Sequence, residues 1–508
     1  MSFIRNKKFY YLISFIEGSC VMATELLGAK MLAPYFGASL YVWSTVLAIT
    51  LGGLASGYFF GGILSYKYSN KNSLFYVLLL AAVFNALMPF TSKAILQAVG
   101  NFSLLPAIIF SATAFLFPPV FMMGMVSPLI ISHITVDVKE SGKAAGSVYA
   151  ISTVGGIIAT FLTGFYIIPA YGLTWPAIVN GIAMGIIPLV ILIKQNKFWI
   201  VLAIASACLL YKKTSNTNQY GEIKVVFTSE GLLGQLMVAD QPNYDQAGIV
   251  DNYTRTLYVN HIGQTMLNLK TKEVFPYIKK MCEVVDEFHG KSTALLFGLG
   301  GGTLANELVK RGYHTDACEL DTRIVEVAKK YFYLDSTVTV YIDDARHFER
   351  TAPKKYDLII FDVFKGEENP GHVFTAESLQ ETKNLLNPGG IIVVNGNGFF
   401  ESHAGKGMRS ICKTLLDGGF YVNVLPSNNN KNELTRNLLF FASQNKNELP
   451  GNKDYLDLAS VDMNDAVVLQ DEFPVLEILN MEASKAWRQG YISYSINTFN
   501  KRNIPLFR

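Results

Sequence analysis

The chain has 508 residues, with 43 Lys and Arg against 40 Asp and Glu, so its formal net charge is only +3. A mean hydropathy of +0.26 with 16% charged residues is too apolar for an ordinary soluble enzyme. No basic stripe with interleaved aromatics is present, which argues against nucleic acid as a partner. The five cysteines, Cys20, Cys208, Cys282, Cys318 and Cys412, lack CxxC spacing and argue against a disulfide framework or a zinc site.

The apolar excess lies in the first 211 residues. A transmembrane helix needs about 20 apolar residues, and six such stretches are predicted, at 9–33, 41–65, 73–92, 105–132, 144–168 and 174–193. A seventh candidate, Phe198–Tyr211, would rise only about 21 Å as a helix, short of a bilayer core of about 30 Å. Residues 1–212 are therefore predicted to form a multi-span α-helical membrane domain in contact with the lipid bilayer.

The distribution of positive residues predicts an orientation. Lys and Arg precede the first span and follow the second, fourth and sixth, whereas the loops 34–40 and 169–173 have none and Lys93 is the exception. The N-terminus is therefore expected in the cytoplasm. Six spans leave the polar half in the cytoplasm, and seven place it outside. We favour six, with Phe198–Tyr211 interfacial or re-entrant, because the ligand inferred below is a cytosolic metabolite.

Two acids stand inside the first predicted span. Glu17 and Glu25 are eight residues apart and lie within about 80° on one helix face, with Lys30 near the far end of that span. Intramembrane acids are costly and indicate function by default. One interpretation is cation or amine binding inside the helix bundle, and the other is a structural pair bonded to neighbouring helices.

Small residues recur at four-residue spacing in two of the predicted spans. Gly53, Gly57 and Gly61 stripe the second span, and the fifth span carries Gly156, Thr160 and Gly164. Such stripes allow helices to approach closely in lipid. Simple bundle packing is the favoured interpretation, and a transport path is the alternative.

The polar half follows a linker at 213–220. Residues 221–272 alternate as short strands of a small β-hairpin sheet. Residues 273–508 alternate strands with helices and predict a doubly wound, mostly parallel sheet. Strands are expected at 293–297, 315–320, 337–342, 357–361 and 390–395, with helices near 272–287, 303–311, 322–332, 375–387 and 405–417.

A glycine turn and several strand-end acids predict a nucleoside site in this sheet. ALLFGLGGGT contains Gly298 and Gly300 after a buried strand, and Glu319 follows Gly298 by 21 residues. Glycines admit a close ligand, and an acid after the next strand binds ribose hydroxyls. Asp343, Asp344 and Asp362 also follow strands and should converge on the same crevice. The alternatives are solvated acids for Glu319 and Asp362, and a helix cap for the pair Asp343–Asp344.

Five motifs in register carry a resemblance to a known family. ALLFGLGGGT, CELD, IDDAR, DLIIFDVF and LLNPGGIIVVN resemble the polyamine aminopropyltransferases (spermidine synthases), in particular their membrane-fused members. The resemblance implies a Rossmann-like fold similar to the S-adenosylmethionine methyltransferases at 273–508. It also implies aminopropyl transfer from decarboxylated S-adenosylmethionine to an amine such as putrescine, giving spermidine and methylthioadenosine. No metal is implied, and a homo-oligomer is expected.

The resemblance assigns roles residue by residue. Asp362 matches the catalytic acid, which takes a proton from the attacking amine. Glu319 matches the ribose-binding acid, and Asp344, beside Asp343, matches the acid that accepts from the adenine amino group. Gln235 resembles a glutamine next to the cofactor, and Pro370 resembles a proline that borders the thioadenosine. Together with Gly298 and Gly300, these form the predicted cofactor-binding set.

Three departures from the family pattern concern the amine side. Gly301 and Lys365 stand where the family has aspartates, and EVFPYIKK stands where it has a Tyr-His-Glu segment. A diamine needs several carboxylates to offset its lost hydration. Glu367 and Glu368 on the loop after Asp362, or the intramembrane acids, are candidate replacements.

Two rival functions therefore stay open. Intact S-adenosylmethionine could be the substrate, either for methyl transfer or for internal cleavage to methylthioadenosine. Alternatively, the protein could be a membrane sensor or transporter that binds the nucleoside without turnover.

Overall fold

A computed structural model describes residues 6–36, 40–67, 72–99, 102, 104–135, 137–193, 219–220, 222–231, 233–364, 369–428, 436–473, 475–499 and 504. The chain divides into two compact units. The first unit comprises Met1–Gly221, Thr228–Gln235 and Ser493–Arg508, and the second comprises Glu222–Phe227 and Leu236–Ile492. The predicted domain borders at residues 212, 220 and 272 stay predictions.

The first unit is helical. Its α-helices are Lys7–Phe36, Leu40–Lys67, Asn72–Ala98, Leu104–Phe115, Phe117–Gly124, Val126–Ile134, Ser141–Leu162, Ile168–Tyr171 and Thr174–Ile193, with a 3-10 turn at Val138–Glu140 and a π-helical turn at Thr163–Ile167. By length and composition, six helical stretches within the described residues could cross a membrane. The seventh candidate, Phe198–Tyr211, lies outside the described residues.

The predicted fourth span is not one continuous helix. Residues 105–132 fall in three successive helices, with breaks at Leu116 and Met125. Pro118 and Pro119 stand in the first turn of Phe117–Gly124, where a missing N–H costs no helical hydrogen bond. Hydropathy could not predict these breaks, because it does not record which residues lack a backbone N–H donor.

The glycine stripe of the second span lies in a close helix crossing. A Cβ atom on Gly57 would collide with the carbonyl oxygen of Phe121, and one on Gly61 would lie 2.7 Å from Cα of Met125. The stripe therefore lets two backbones approach, as the packing interpretation predicts. In the fifth span, a Cβ atom on Gly156 would lie 2.8 Å from Cγ of Met22.

The second unit contains a small antiparallel sheet followed by a larger one. After the short strand β1 (Gln219–Tyr220) of the first unit, the small sheet runs in chain order through β2 (Ile223–Ser229), β3 (Leu236–Tyr244), β4 (Val250–Val259) and β5 (Ile262–Asn268). β4 pairs antiparallel with both β3 and β5. This matches the predicted hairpin sheet.

The larger sheet has seven strands: β6 (Thr293–Phe297), β7 (His314–Glu319), β8 (Thr339–Ile342), β9 (Tyr356–Phe361), β10 (Leu386–Gly398), β11 (Tyr421–Pro426) and β12 (Arg436–Ser443). Their order is β11-β12-β10-β9-β6-β7-β8. Strands β6 to β10 pair in parallel, and β12 pairs antiparallel with β10 and β11. The predicted strands are present, whereas the antiparallel edge was not foreseen.

Helices cover both faces of this sheet. They are Pro276–Val285, Thr303–Lys310, Thr322–Tyr331, Ala345–Thr351, Ala376–Leu385, Lys406–Asp417, Leu476–Leu479 and Met481–Thr498, the last extending into the first unit. Alternate residues of one strand enter opposite cores: Leu296 joins one apolar cluster, whereas Leu295 and Phe297 join the other. Burial on both faces explains why these strands read as continuous apolar runs. The strand order reverses between β6 and β9, where α/β sheets bind ligands.

Candidate active site

The turn after β6 passes directly beneath the backbone of Asp362. Gly298 has φ +83°, and a Cβ atom there would collide with the carbonyl oxygen of Asp362. Its N–H donates to the carbonyl of Cys318 across 2.9 Å. Only glycine fits this combination of a left-handed backbone and a close approach. The turn therefore joins the ends of β6, β7 and β9.

Glu319 holds the glycine loop from the end of β7. Its Oε2 accepts from the N–H of Leu299 at 3.0 Å, and its Oε1 accepts from the N–H of Asp321 at 2.9 Å. The side chain is buried, and this burial raises the pKa of the Glu319 carboxyl, although backbone donors, those of Leu299 and Asp321 among them, oppose the shift. Each oxygen retains a lone pair for a ribose hydroxyl.

The loop position of the missing family aspartate is closely packed. The N–H of Gly301 donates to Oγ1 of Thr265 across 2.7 Å. A Cβ atom on Gly301 would lie 2.7 Å from Cγ2 of Thr265 and 2.9 Å from Cγ of Phe332. An acidic side chain could not enter here without displacing these neighbours. The absence of the loop carboxylate is thus part of the local packing.

Asp343 and Asp344 follow β8 and have separate partners. Asp344 caps the helix Ala345–Thr351, because its Oδ1 accepts from the N–H groups of Arg346 and His347. Its Oδ2 lies 3.6 Å from Nε2 of His372. Asp343 lies 2.6 Å from Nδ1 of His347. The capping interpretation is therefore correct, and it leaves Oδ2 of Asp344 able to accept from an adenine amino group.

Asp362 stands at the end of β9 with both carboxyl oxygens engaged. Tyr277 donates its hydroxyl to Oδ2 at 2.8 Å, and Asn395 donates its amide to Oδ1 at 2.7 Å. Burial raises the pKa of the Asp362 carboxyl, and both donors oppose this shift by stabilising the charged form. A carboxylate with a raised pKa is a better proton acceptor than a solvated one.

A network of asparagines extends from the far side of this carboxylate. The Oδ1 atom of Asn395 accepts from Asn437 at 3.0 Å, which fixes the orientation of the amide. Asn369 donates to the carbonyls of Val363 and Asn395, each at 3.1 Å. Sequence reasoning missed Asn395 and Tyr277. The available signals were the polar Asn395 at the end of an apolar strand and the tyrosine within EVFPYIKK.

The structure describes two further predicted site residues, whose roles stay predictions. Gln235 is buried in the first unit and donates its amide to Oε1 of Glu230 at 2.7 Å. Pro370 is half-buried and precedes the 3-10 turn Gly371–Val373. Lys365, Glu367 and Glu368 lie outside the described residues.

The carboxyl ends of four adjacent strands thus bring the remaining predicted residues to one edge of the sheet. Gly298 and Gly300 follow β6, Glu319 ends β7, and the pair Asp343–Asp344 follows β8, with Asp362 after β9. Within the described ranges, no group of three or more His, Cys, Asp or Glu is arranged to hold a metal ion. The role of each residue stays a prediction.

Comparisons with known proteins identify relatives of this unit. Residues 274–449 match the family model described as the spermine/spermidine synthase domain. A polyamine aminopropyltransferase from Vibrio vulnificus is 34% identical over 128 residues, which cover 24% of this chain and 43% of that protein. An N-terminal histidine N-methyltransferase from Emericella nidulans is 30% identical over 183 residues, covering 34% of this chain and 29% of that protein.

A third relative extends over more of the chain. Polyamine aminopropyltransferase 2 from Aquifex aeolicus is 24% identical over 427 residues, covering 80% of this chain and 82% of that protein. The chain spans less than half the length of the first two relatives. The matches confirm the predicted resemblance and fold class. The relatives carry the type of transferase domain that the sequence predicts.

Proposed function

We propose that this chain transfers an aminopropyl group from decarboxylated S-adenosylmethionine to an amine, because residues 274–449 match the model of the spermine/spermidine synthase domain. Putrescine is the proposed acceptor, and spermidine and methylthioadenosine are the proposed products. The observation that carries the proposal is the carboxylate of Asp362, held by Tyr277 and Asn395 directly above the glycine turn. No other strand-end acid of the site has a side-chain donor on each oxygen among the residues described.

The proposed mechanism needs one base and a positioned donor. Asp362 orients the amine and accepts a proton from it, so that the nitrogen lone pair attacks the carbon next to the sulfonium. The carbon–sulfur bond breaks, and its electron pair returns to sulfur as methylthioadenosine leaves. Glu319 and Oδ2 of Asp344 bind the ribose hydroxyls and the adenine amino group. The enzyme contributes orientation and proton transfer.

A second candidate reaction uses intact S-adenosylmethionine as the donor. It is favoured by the glycine at position 301, which leaves the loop without a carboxylate to repel the carboxylate of the intact donor. The similarity to a histidine N-methyltransferase also supports it. Binding measured with both donors separates the two reactions, since a strong preference for the decarboxylated form excludes the second.

Substitution of the proposed base provides the direct test. Asp362→Asn should keep donor binding and lose about a hundredfold or more of the methylthioadenosine release, because general-base catalysis typically contributes that much. Mass spectrometry of the products from a panel of amines measures this. Asp417→Asn, an exposed acid outside the site, is the matched control. Normal turnover of Asp362→Asn would show that the base is assigned wrongly. Binding without turnover in the wild type would favour a sensor or transporter.

The proposal includes a location. Six helices of sufficient length and apolar composition support a multi-pass membrane protein. We place the polar half in the cytoplasm, because the proposed donor is a cytosolic metabolite. A homo-oligomer is the expected assembly, as the family resemblance implies.

A further inference from the structure

Glu17 is a carboxyl group buried among the apolar helices of the first unit. It lies within the span Lys7–Phe36, and only 2% of the residue is exposed. Ser152, on the helix Ser141–Leu162, donates its hydroxyl to Oε2 of Glu17 at 3.1 Å. Among the described residues, Ser152 provides the one side-chain hydrogen bond to this carboxyl, and that bond is to Oε2. Half of the carboxyl is therefore available to another group.

The surrounding backbone is closely packed. A Cβ atom on Gly18 would collide with the carbonyl oxygen of Ser152, and one on Gly155 would collide with the carbonyl oxygen of Phe15. The two helices thus cross at close range beside Glu17, and neither glycine leaves room for a larger residue. This crossing fixes the position of the carboxyl group.

Two aromatic rings complete the surroundings of this carboxyl. Tyr58 and Tyr149 both lie close enough to Glu17 to interact with it electrostatically. Their ring centroids are 5.9 Å apart, and the rings are nearly perpendicular at 83°. Tyr149 is 41% exposed, so this side of the cluster lies at the surface of the helices. A carboxylate with two tyrosine rings within electrostatic range has the groups that could bind an ammonium ion.

A second polar cluster in the same unit shows what a purely structural arrangement looks like. Thr24 donates to Oδ1 of Asn85 at 2.8 Å, and Asn180 donates to Oγ1 of Thr24 at 3.0 Å. The hydroxyl and the amides bond one another, and none is ionisable. Glu17 differs because it is an acid with one hydrogen bond for two oxygens. Packing alone would be served by a residue that costs less to bury.

We propose that Glu17, Ser152, Tyr58 and Tyr149 form a binding site for a protonated primary amine among the apolar helices. The carboxylate neutralises the ammonium charge, Ser152 holds one carboxyl oxygen in place, and the rings cover the cation. The site lies in the first unit and does not depend on the transfer reaction proposed for the second. Its failure and the failure of that reaction are therefore separate outcomes.

Equilibrium binding of radiolabelled butylamine to the full chain in lipid nanodiscs tests this site. All samples carry Asp362→Asn, so any binding by the second unit is common to them. Glu17→Gln should weaken binding by about tenfold or more, which corresponds to about 1.4 kcal/mol. Glu140→Gln removes an exposed acid of the same unit and should bind like the parent. Equal binding by the Glu17 and Glu140 variants would overturn the proposal.

The aromatic residues provide a second, independent measurement. Tyr58→Leu and Tyr149→Leu keep the carboxyl group and remove the rings, and each should weaken butylamine binding several-fold. Size-exclusion chromatography and thermal unfolding establish that each variant folds. If Glu17→Gln fails to fold, the two tyrosine variants test the proposal instead. Butylamine binding that is unchanged in both of them would reject the site.

Discussion

The hydroxyl of Tyr277 donates to Oδ2 of Asp362 across 2.8 Å. Burial raises the pKa of Tyr277 far above its usual value, and the charge of Asp362 raises it further, so the phenol stays protonated. The tyrosine is therefore a permanent donor that stabilises the ionised carboxylate. Asn395 acts in the same way on Oδ1. The proton affinity of the proposed base is thus a balance between burial and two hydrogen bonds.

Removing the Tyr277 donor should shift the pH dependence of turnover. Tyr277→Phe takes away a hydrogen bond to the charged form, so the pKa of Asp362 should rise further above its usual value. The acid limb of kcat/KM for methylthioadenosine release should therefore move to higher pH. Tyr313→Phe, which removes a buried hydroxyl without a partner among the described residues, is the control. If the acid limb of Tyr277→Phe does not move, Tyr277 does not control the pKa of the proposed base.

Gly298 should be far less replaceable than a second left-handed glycine. Gly298 has φ +83° and Gly312 has φ +85°, but a Cβ atom on Gly312 meets nothing within 4 Å. Gly312→Ala should therefore lose about 1–2 kcal/mol of unfolding free energy and keep its turnover. Gly298→Ala should lose stability and also most donor binding, because it displaces the backbone of Asp362. Similar turnover by the two variants would show that the conformation of Gly298 does not determine the position of Asp362.

Glu349 should make the second unit less stable as the pH rises. Burial raises the pKa of its carboxyl to about 8, against the opposing hydrogen bonds of Ser378 and Thr382. The unfolded chain releases this proton near pH 4.3, so the folded state holds more protons between about pH 4.3 and 8. Stability therefore falls with rising pH across that window. Glu349→Gln should flatten the dependence of Tm on pH, and an unchanged slope would refute the assignment.

Two interactions between charged residues of the first unit lead to a prediction about membrane topology. Lys93, the exception to the charge bias, interacts electrostatically with Glu230, whereas Lys7 pairs with Glu140 at 3.6 Å. Lys93 lies 21 residues beyond the start of Asn72–Ala98, or about 30 Å along the helix. With spans that alternate in direction, the two pairs lie at opposite ends of the bundle.

If the two pairs lie at opposite ends, residue 233 and the N-terminus face opposite sides of the membrane, which departs from the six-span expectation. Single cysteines should then be labelled from opposite sides. Glu140→Cys and Leu233→Cys, in a background without the native cysteines, introduce exposed thiols beside the two pairs. An impermeant maleimide applied to sealed vesicles of known orientation should reach only one of them. Labelling from the same side would instead support the six-span interpretation derived from composition. If the two cysteines are labelled from opposite sides and the polar half is cytoplasmic, the N-terminus must be outside. The orientation predicted from the Lys and Arg distribution would then be wrong.

Local patterns predicted the elements of the larger sheet because its strands are buried on both faces and end in polar residues. The strand expected at 293–297 coincides with β6, and Glu319 and Asp362 stand where those strand ends require. The partners of Asp362 were missed for a physical reason. Tyr277 lies 85 residues away and Asn395 lies 33 residues away, so only tertiary folding brings their donors to it.

The membrane half shows a different limit of sequence reasoning. Hydropathy located the apolar stretches, but it cannot detect where a proline removes a hydrogen bond, so the breaks at Leu116 and Met125 were not foreseen. The sequence showed that Glu17 is an acid within a predicted span, but it could not show which residues surround it. Ser152 lies 135 residues further along the chain, and its approach depends on how the helices pack.

The bond between Glu319 and the N–H of Leu299 fixes the loop that borders the proposed donor pocket before any ligand binds. A loop that is already ordered loses little conformational entropy on association, so more of the contact energy is expressed as affinity. The same rigidity limits adaptation, because a donor with a different ribose would have to break an internal contact to be accommodated. This arrangement therefore favours a narrow choice of nucleoside in the proposed pocket.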